Sequence, residues 1–187
     1  MTGIETKRLL LRPLEEADFF ALRKILGDPR VMYAWEHGFS GDEVREWIAR
    51  SRARCAREGA GHLAAVERAT GDFVGTIGPV WEPVGNRMAW SVGYILRQDR
   101  WGEGFAREGT AACVRHIFEV FGASEAVADI RPENASSRRV AAALGMEEEG
   151  EFVKIYRGKE MPHLIYRITR ERFESMKRKR GNIYAEI

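Results

Sequence analysis

The stretch Trp101-Gly102-Glu103-Gly104-Phe105-Ala106 follows the apolar run of residues 92–96 and precedes a helical pattern that starts near Ala106. A glycine-rich turn between a strand and a helix presents backbone N–H groups that can bind a phosphate. Glycine allows positive φ angles and close approach to phosphate oxygens, and the helix N-terminus adds unpaired donors with a partial positive charge. The stretch therefore predicts a site for a phosphate-bearing ligand.

The glycine spacing does not match two common phosphate-binding motifs. No Gly-Lys-Ser/Thr follows the glycines, so the turn is not a P-loop, and Arg107 stands where a dinucleotide fingerprint has its third glycine. A Gly-x-Gly turn is by itself also typical of an ordinary strand-to-helix connection. Its interpretation therefore depends on the rest of the chain.

Length, composition and charge narrow the class of protein. The 187 residues are 44% apolar and 31% charged, which is typical of one soluble globular domain over residues 1–187. The net charge of +2 gives no general reason to expect nucleic-acid binding. Cys55 and Cys113 lie in helical patterns, which favours a reducing compartment, and no apolar run reaches the length of a membrane span. We therefore expect a cytoplasmic protein that does not enter a membrane.

Hydrophobic periodicity and turn residues predict alternating strands and helices. The predicted strands are residues 6–14, 63–68, 73–81, 87–96, 125–130, 152–156 and 164–168. The predicted helices are residues 18–26, a helix from Ser40 to about Glu58 that stops at Gly59, a helix from Ala106 to a stop at Gly122, and residues 136–144. Strand 92–96, the following helix and strand 125–130 form a βαβ unit, so those two strands should run parallel. We expect an α/β fold with a mixed, mostly antiparallel central sheet flanked by helices.

Several segments occur in an order that is found in one known family. Residues 6–14 form its first strand, Gly93-Tyr94 precedes its pyrophosphate motif at residues 101–106, and residues 134–140 with 144–146 form its second cofactor motif. Together they resemble the GNAT superfamily of acyl-CoA N-acyltransferases, in particular the branch with Rim-type ribosomal-protein N-terminal acetyltransferases. The resemblance implies a GNAT-like domain with a splayed parallel pair of strands. It also implies acetyl-CoA as cosubstrate, with no metal.

The resemblance assigns the residues that bind acetyl-CoA. Tyr94, Ile95 and Leu96 would pair with the pantetheine amides, and a backbone N–H near Tyr94 and Ile95 would polarise the thioester oxygen. Asn134 would contact the CoA arm or hold the splayed strands, and its plainer interpretation is a turn or cap residue. The pyrophosphate would bind at Trp101, Gly102, Glu103, Gly104, Phe105, Ala106 and Arg107.

The resemblance also suggests a general acid. In much of the superfamily the acid is a tyrosine seven residues after the asparagine, and here that position is Ala141. The Rim-type branch has instead a serine three residues after the asparagine, which is Ser137 here. Its hydroxyl could donate a proton to the departing sulfur. A serine at a helix start is also a common N-cap residue.

The sequence alone does not identify the general base. Many relatives have a glutamate two residues before the Gly-Tyr pair, where this chain has Ser91, and Pro162 occupies another acidic position. Three candidates remain. Glu36 follows Trp35 in the loop where this fold usually builds its acceptor site, and Glu82 and His163 lie near the predicted strands. The imidazole of His163 has a reference pKa near neutrality.

The resemblance implies transfer of an acetyl group to a primary amine, with a protein N-terminal α-amine as the first expectation. One alternative is a small-molecule amine such as an antibiotic or a polyamine. Another is a non-catalytic CoA-binding module, because Ser91, Ala141 and Pro162 replace three proton-handling residues. We allow for a homodimer. The run 170–180 and a basic C-terminal tail, about residues 175–187, suggest contact with nucleic acid only weakly.

Overall fold

The computed structural model describes residues 3–179 and 181–187. In these residues, eight strands form one mixed sheet in the order β1-β2-β3-β4-β5-β6-β8-β7. The strands are β1 (Ile4–Glu5), β2 (Leu9–Pro13), β3 (Leu63–Glu67), β4 (Phe73–Val84), β5 (Arg87–Leu96), β6 (Glu125–Ile130), β7 (Glu147–Tyr156) and β8 (Lys159–Thr169). The α-helices are α1 (Phe19–Leu26), α2 (Gly41–Glu58), α3 (Phe105–Glu119), α4 (Ala135–Ala143), α5 (Arg170–Lys177) and α6 (Ile183–Glu186).

The predicted fold class and its parallel pair are confirmed. β5 and β6 run parallel, and the other neighbouring strands pair antiparallel. The capping of α2 also follows the sequence: Ser40 and Glu43 form a capping box, and Gly59 ends the helix in the left-handed conformation. None of the helices in the described ranges is long and apolar enough to cross a membrane.

Some element boundaries differ from the prediction. β4 continues beyond Trp81 to Val84, although Pro83 indicated a turn. Its pairing with β3 ends at Ile77, so the later part of β4 has a free edge, where a proline is tolerated. β7 begins at Glu147 and not at residue 152. It is an edge strand with mostly exposed residues, so no hydrophobic alternation marks its first half.

The C-terminal segment departs most from the prediction. Residues 175–187 were expected to be a basic tail, but α5 reaches Lys177 and α6 packs on the core. The rings of Phe173 and Tyr184 lie 4.9 Å apart, and the hydroxyl of Tyr184 donates to the carbonyl oxygen of Leu144 at 2.8 Å. Arg180, part of the basic run, lies outside the described residues. Buried aromatic rings in a mostly polar segment therefore hold this end of the chain against α4.

The sheet separates two apolar cores. One core lies between the sheet and α3, with Val114, Ile117 and Phe118 of that helix buried in it. The other contains Leu22 of α1 and Trp47 of α2, together with other residues on the opposite face. Because both faces are covered, the strands in the middle of the sheet are held on two sides.

The parallel pair opens soon after it begins. β5 and β6 pair at a single position, Ser91 with Val127. Beyond it, within the described part of the chain, residues 92–96 of β5 pair with β4 alone and leave their other edge toward β6 unpaired. The predicted splayed pair is therefore present, and it places an unpaired backbone edge in the middle of the sheet.

Candidate active site

The glycine-rich turn has the backbone geometry expected of an anion site. Gly102 and Gly104 have φ angles of 82° and 86°, in the left-handed region that favours glycine. Gly104 is the N-cap of α3 and provides no side-chain cap. In the part of the chain that the structure describes, the N–H groups of residues 102–104 donate to no backbone acceptor. These donors and the N-terminus of α3 are free to bind phosphate oxygens.

Two sets of contacts hold this turn in place. The indole N–H of Trp101 donates to the carbonyl oxygen of Leu96 at 3.0 Å, which ties the turn to the end of β5. The buried carboxylate of Glu108 in α3 accepts from the hydroxyl of Thr6 at 2.6 Å. It also accepts from the backbone N–H and Nε of Arg8, at 2.8 and 2.6 Å. Burial by itself raises the pKa of Glu108, but these hydrogen bonds outweigh it and lower the pKa.

Basic side chains surround the turn. The guanidinium groups of Arg8 and Arg100 lie 4.4 and 4.8 Å from the ring centroid of Phe105, the first residue of α3. Nη1 of Arg8 also donates to the carbonyl oxygen of Glu103 at 2.9 Å. Arg107 is exposed on the first turn of the helix. Because both guanidinium groups also pair with nearby carboxylates, the oriented N–H groups and the exposed Arg107 are the donors that remain available to an anion such as a pyrophosphate.

A cavity of about 370 Å³ occupies the opening between β5 and β6. Successive residues of a strand point to opposite faces of a sheet. The lining includes Val92 and Tyr94 from one face of β5 and Ser91, Gly93 and Ile95 from the other. The cavity therefore passes through the sheet. We call its two ends the α4 end, where Tyr94, Asn134, Ser137 and Ala141 lie, and the α2 end, where Trp47, His62, Glu82, Asp129, Lys154 and His163 lie.

The α4 end brings three of the predicted residues together. The hydroxyl of Tyr94 donates to Oγ of Ser137 at 2.9 Å. The backbone N–H of Ser137 donates to Oδ1 of Asn134 at 3.1 Å, so Asn134 is the N-cap of α4. Burial raises the pKa of Tyr94, and the hydrogen bond to Ser137 offsets part of this effect. Tyr94 and Ser137 form a hydroxyl pair that faces the cavity.

The α2 end contains a cluster of ionisable groups around Asp129 of β6. Nζ of Lys154 lies 2.5 Å from Oδ2 of Asp129, and the hydroxyl of Ser91 donates to Oδ1 at 3.4 Å. Nε2 of His163 lies 3.9 Å from the same Oδ2. Glu82 of β4 faces this cluster from the neighbouring strand. Four strands thus bring two carboxylates, one ammonium group and one imidazole to one end of the cavity.

The environment of this cluster shifts several pKa values. Burial raises the pKa of Glu82, and the negative charge of Asp129 raises it further. Burial opposes the charged form of Lys154, but Asp129 and Glu82 outweigh it and raise its pKa. Burial lowers the pKa of His163 even though its Nδ1 lies 2.9 Å from the carbonyl oxygen of Met161. The imidazole of His163 is therefore mainly neutral at neutral pH.

A second histidine, His62, lies beside this cluster. Its ring is 4.7 Å from that of Trp47, and a Cβ on Gly93 would lie 3.2 Å from its Cε1, so the glycine makes room for the imidazole. Its buried Nδ1 has no hydrogen-bond partner among the described residues. Burial, reinforced by Arg54 and Arg50, lowers its pKa to about 4. His62 therefore lies uncharged beside β5 at the opening.

Glu36, a predicted base, lies elsewhere. Its carboxylate pairs with Lys159 and with Nη2 of Arg131, the latter at 3.3 Å, and it does not line the cavity. The hydrogen bond from Lys159, with a contribution from Arg131, lowers its pKa. These ion pairs keep the carboxylate charged and weakly basic, which does not favour a role as general base.

Aromatic rings close the α2 end. The ring of Trp35 lies 6.0 Å from Trp47 and 5.3 Å from Tyr156 of β7, so the loop before α2 touches the β7–β8 hairpin. Trp81 and Trp90 lie 5.2 Å apart and do not line the cavity. The α2 end is therefore bounded by a loop and a hairpin in direct contact.

Comparison with known proteins agrees with this geometry. Residues 8–147 match the family described as "Acetyltransferase (GNAT) domain". The chain belongs to the GNAT family. GNAT enzymes use acetyl-CoA as cosubstrate, which is a phosphate-bearing ligand of the kind that the glycine-rich turn predicts. Among the described residues, no group of three or more His, Cys, Asp or Glu residues is arranged to hold a metal ion.

Named relatives and solved structures extend the match to nearly the whole chain. The "FsC-acetyl coenzyme A-N(2)-transacetylase" of Aspergillus fumigatus is 31% identical over 94% of this chain and 79% of its own. An acetyltransferase structure from Agrobacterium tumefaciens superposes with a TM-score of 0.77 at 25% identity, covering 91% and 95% of the two chains. The RimL ribosomal L7/L12 acetyltransferase in complex with coenzyme A has a TM-score of 0.74 at 20% identity, covering 91% and 99%. At 20% identity, the similarity to RimL shows a shared fold alone.

Three residues of the α2 end were missed by the sequence analysis: His62, Asp129 and Lys154. Asp129 carries a visible signal, because it is the single charged residue between Ala126 and Ile130 in an otherwise apolar strand. A carboxylate in a buried strand needs a partner and often marks a functional site. Lys154 gives no such signal, because its strand is exposed and rich in charged residues.

Proposed function

We propose that this acetyltransferase transfers the acetyl group of acetyl-CoA to a primary amine, in the first place a protein N-terminal α-amine. Residues 101–107 would hold the pyrophosphate, and the free edge of residues 94–96 would pair with the pantetheine arm. The acceptor would enter from the α2 end and meet the thioester in the opening between β5 and β6. Acetyl-CoA supplies the activated acyl group, and the protein supplies position and proton transfer.

The main support for this proposal is that the cavity extends through the sheet from one face to the other. The glycine-rich turn precedes α3, which packs on the same face of the sheet as the ring of Tyr94, and the ionisable cluster lies at the opposite end of the cavity. Two reactants can therefore approach one point from opposite faces without competing for space. A site of this kind suits a direct attack of an amine on a thioester.

Ser137 is placed to assist the leaving group. Its hydroxyl accepts from Tyr94, so its own proton is free to point into the cavity toward a departing thiolate. Its N-terminal position in α4, capped by Asn134, adds unpaired backbone donors that favour negative charge nearby. We propose that Ser137 donates the proton and that Tyr94 orients it.

A small-molecule amine is the second candidate acceptor. The relative from Aspergillus fumigatus supports it, because its name, an acetyl coenzyme A-N(2)-transacetylase, specifies one numbered nitrogen. The contact between Trp35 and Tyr156 leaves an enclosed acceptor end, which fits either a chain end or a small molecule better than a folded protein surface. A peptide with a free α-amine, the same peptide with a blocked N-terminus and a series of small polyamines distinguish the two.

Thermal melting with acetyl-CoA, CoA and NAD tests the donor site. A ligand that binds only the folded state stabilises it by about 2.7 kcal/mol at 100 times its Kd. We expect acetyl-CoA and CoA to raise the melting temperature and NAD to leave it unchanged. If all three leave it unchanged, the turn is a structural connection and the proposed donor site is wrong.

A further inference from the structure

The ionisable cluster at the α2 end contains candidates for the general base, which the sequence alone does not identify. Building on the proposed function, we propose that Asp129 receives the acceptor's amino group and that Glu82 removes its proton. Ser91 of β5 donates to Asp129 and lies on the face of the sheet that also carries Glu82. The carboxylates from the strands on either side of β5 converge on that serine. The proposed base therefore lies on β4, beside β5.

The strand registers fix the positions of these groups relative to Ser91. Val80 of β4 pairs with Ser91, so Glu82, two residues on, lies on the same face as that serine. Ser91 also pairs with Val127 at the last joined position of β5 and β6. Asp129 is the next residue of β6 on that face, at the level where the strands have parted. Glu82 itself pairs with Ala89, two residues before Ser91, so the two carboxylates lie on either side of the level of Ser91.

The charge balance of the cluster favours a cationic ligand. Asp129 is paired with Lys154, while Glu82 takes part in no ion pair within residues 3–179 and 181–187. An ammonium group that enters between the two carboxylates balances the second negative charge. The groups that face Glu82 and Asp129 from the surrounding elements are Arg54 of α2, His62 before β3, Ser91 of β5, Lys154 of β7 and His163 of β8.

The two carboxylates differ in their suitability as a base. Nζ of Lys154 at 2.5 Å and the hydroxyl of Ser91 at 3.4 Å engage the two oxygens of Asp129. These contacts hold the carboxylate in place, and its remaining lone pairs can accept hydrogen bonds from an ammonium group. Burial and the charge of Asp129 raise the pKa of Glu82, so its carboxylate is a stronger base than an ordinary glutamate.

The proton transfers of the proposed reaction balance as follows. One proton of the acceptor's ammonium group passes to the carboxylate of Glu82, and the nitrogen lone pair forms a bond with the thioester carbon. The carbon–sulfur bond breaks, and its electron pair leaves with the CoA sulfur. Ser137 gives its proton to that sulfur and regains one from the new amide nitrogen by way of solvent in the cavity. Glu82 finally releases its proton to solvent, so the net products are an amide, CoA thiol and one proton.

The test is the pH profile of kcat/KM for Glu82→Gln, Glu82→Asp and Asp129→Asn, with Glu151→Gln as matched control. Glu151 is exposed on β7 and does not line the cavity. The substrate is the best primary amine from a panel of peptides with free α-amines and small polyamines. The Kd of acetyl-CoA and the melting temperature of each variant are measured in parallel.

We expect Glu82→Gln to lower kcat about 100-fold or more and to abolish the acidic limb of the profile, while the Kd of acetyl-CoA is unchanged. Glu82→Asp retains that limb at a reduced rate, Asp129→Asn mainly raises KM for the amine, and Glu151→Gln behaves as the unmodified protein. An unchanged acidic limb in a folded Glu82→Gln variant would overturn this assignment alone. Absence of transfer by the unmodified protein to every amine would overturn the proposed function and the assignment together.

Discussion

Replacement of Gly104 by alanine, compared with the same replacement at Gly122, separates the effect of backbone strain on stability from its effect on CoA binding. At a φ angle of 86°, a side chain costs roughly 1–2 kcal/mol of folding free energy. A Cβ at this position would also lie 3.3 Å from Nη2 of Arg8, the end of a flexible side chain that can move. The turn relieves the strain by rotating its peptide groups, and this misaligns the N–H groups of residues 102–104.

The loss of one hydrogen bond from these N–H groups to a charged phosphate costs about 1.5–3 kcal/mol. This corresponds to a rise of roughly 10- to 150-fold in the Kd of CoA. Calorimetric titration with CoA measures the affinity, and urea unfolding measures stability. We therefore expect Gly104→Ala to lose both stability and affinity, and Gly104→Glu to lose more affinity because it adds negative charge beside the pyrophosphate.

Gly122→Ala is the matched control for this experiment. Gly122 also has a positive φ angle, 67°, a Cβ there meets no atom within 4 Å, and it lies beyond the C-terminal end of α3. It should lose a similar amount of stability, with the Kd of CoA unchanged. If Gly104→Ala and Gly122→Ala bind CoA equally well, the turn does not hold the pyrophosphate, and the reasoning from its free N–H groups is refuted.

Two further predictions concern the walls of the cavity. Because the folded protein keeps His62 neutral with a pKa of about 4, against 6.5 in the unfolded chain, stability is full above pH 6.5 and falls as the pH drops toward 4. His62 accounts for roughly 1.5 kcal/mol of the loss between pH 6.5 and 5, so urea unfolding of His62→Gln should show a shallower pH dependence, and an unchanged slope would contradict the burial argument. Ser137→Ala should lower kcat by about 10- to 100-fold, and Tyr94→Phe by less, with little change in the Kd of CoA; equal kcat values for Ser137→Ala and the unmodified protein across pH would remove its role as the acid.

The parts of the fold that local sequence determines were predictable. The capping box of Ser40 and Glu43, the stop at Gly59 and the alternation of β5 depend on neighbours a few residues away. The parallel arrangement of β5 and β6 follows from the short helical crossover between them. The same reasoning located the glycine-rich turn between β5 and α3, because a strand, glycines and a helix start are contiguous in the sequence.

The composition of the α2 end could not be predicted, because it depends on contacts between distant segments of the chain. Asp129 meets Lys154 and Ser91 only after the sheet has formed, and no local pattern places these residues side by side. Glu36 looked attractive because it follows Trp35 in the expected loop, but Arg131 and Lys159 reach it from other elements and hold it as an ion pair. Tyr184 likewise packs against α4 across the chain, which its polar neighbours did not reveal.

If an amine and acetyl-CoA meet in the opening between β5 and β6, the protein transfers the acetyl group directly to nitrogen. Carbonyl-labelled acetyl-CoA is incubated with the protein and a panel of peptides with free or blocked N-termini and small amines. We expect label on an amine nitrogen together with an equal amount of CoA thiol. Binding of acetyl-CoA with label that stays on CoA, or that is released only as acetate, would show that no amine reaches the thioester.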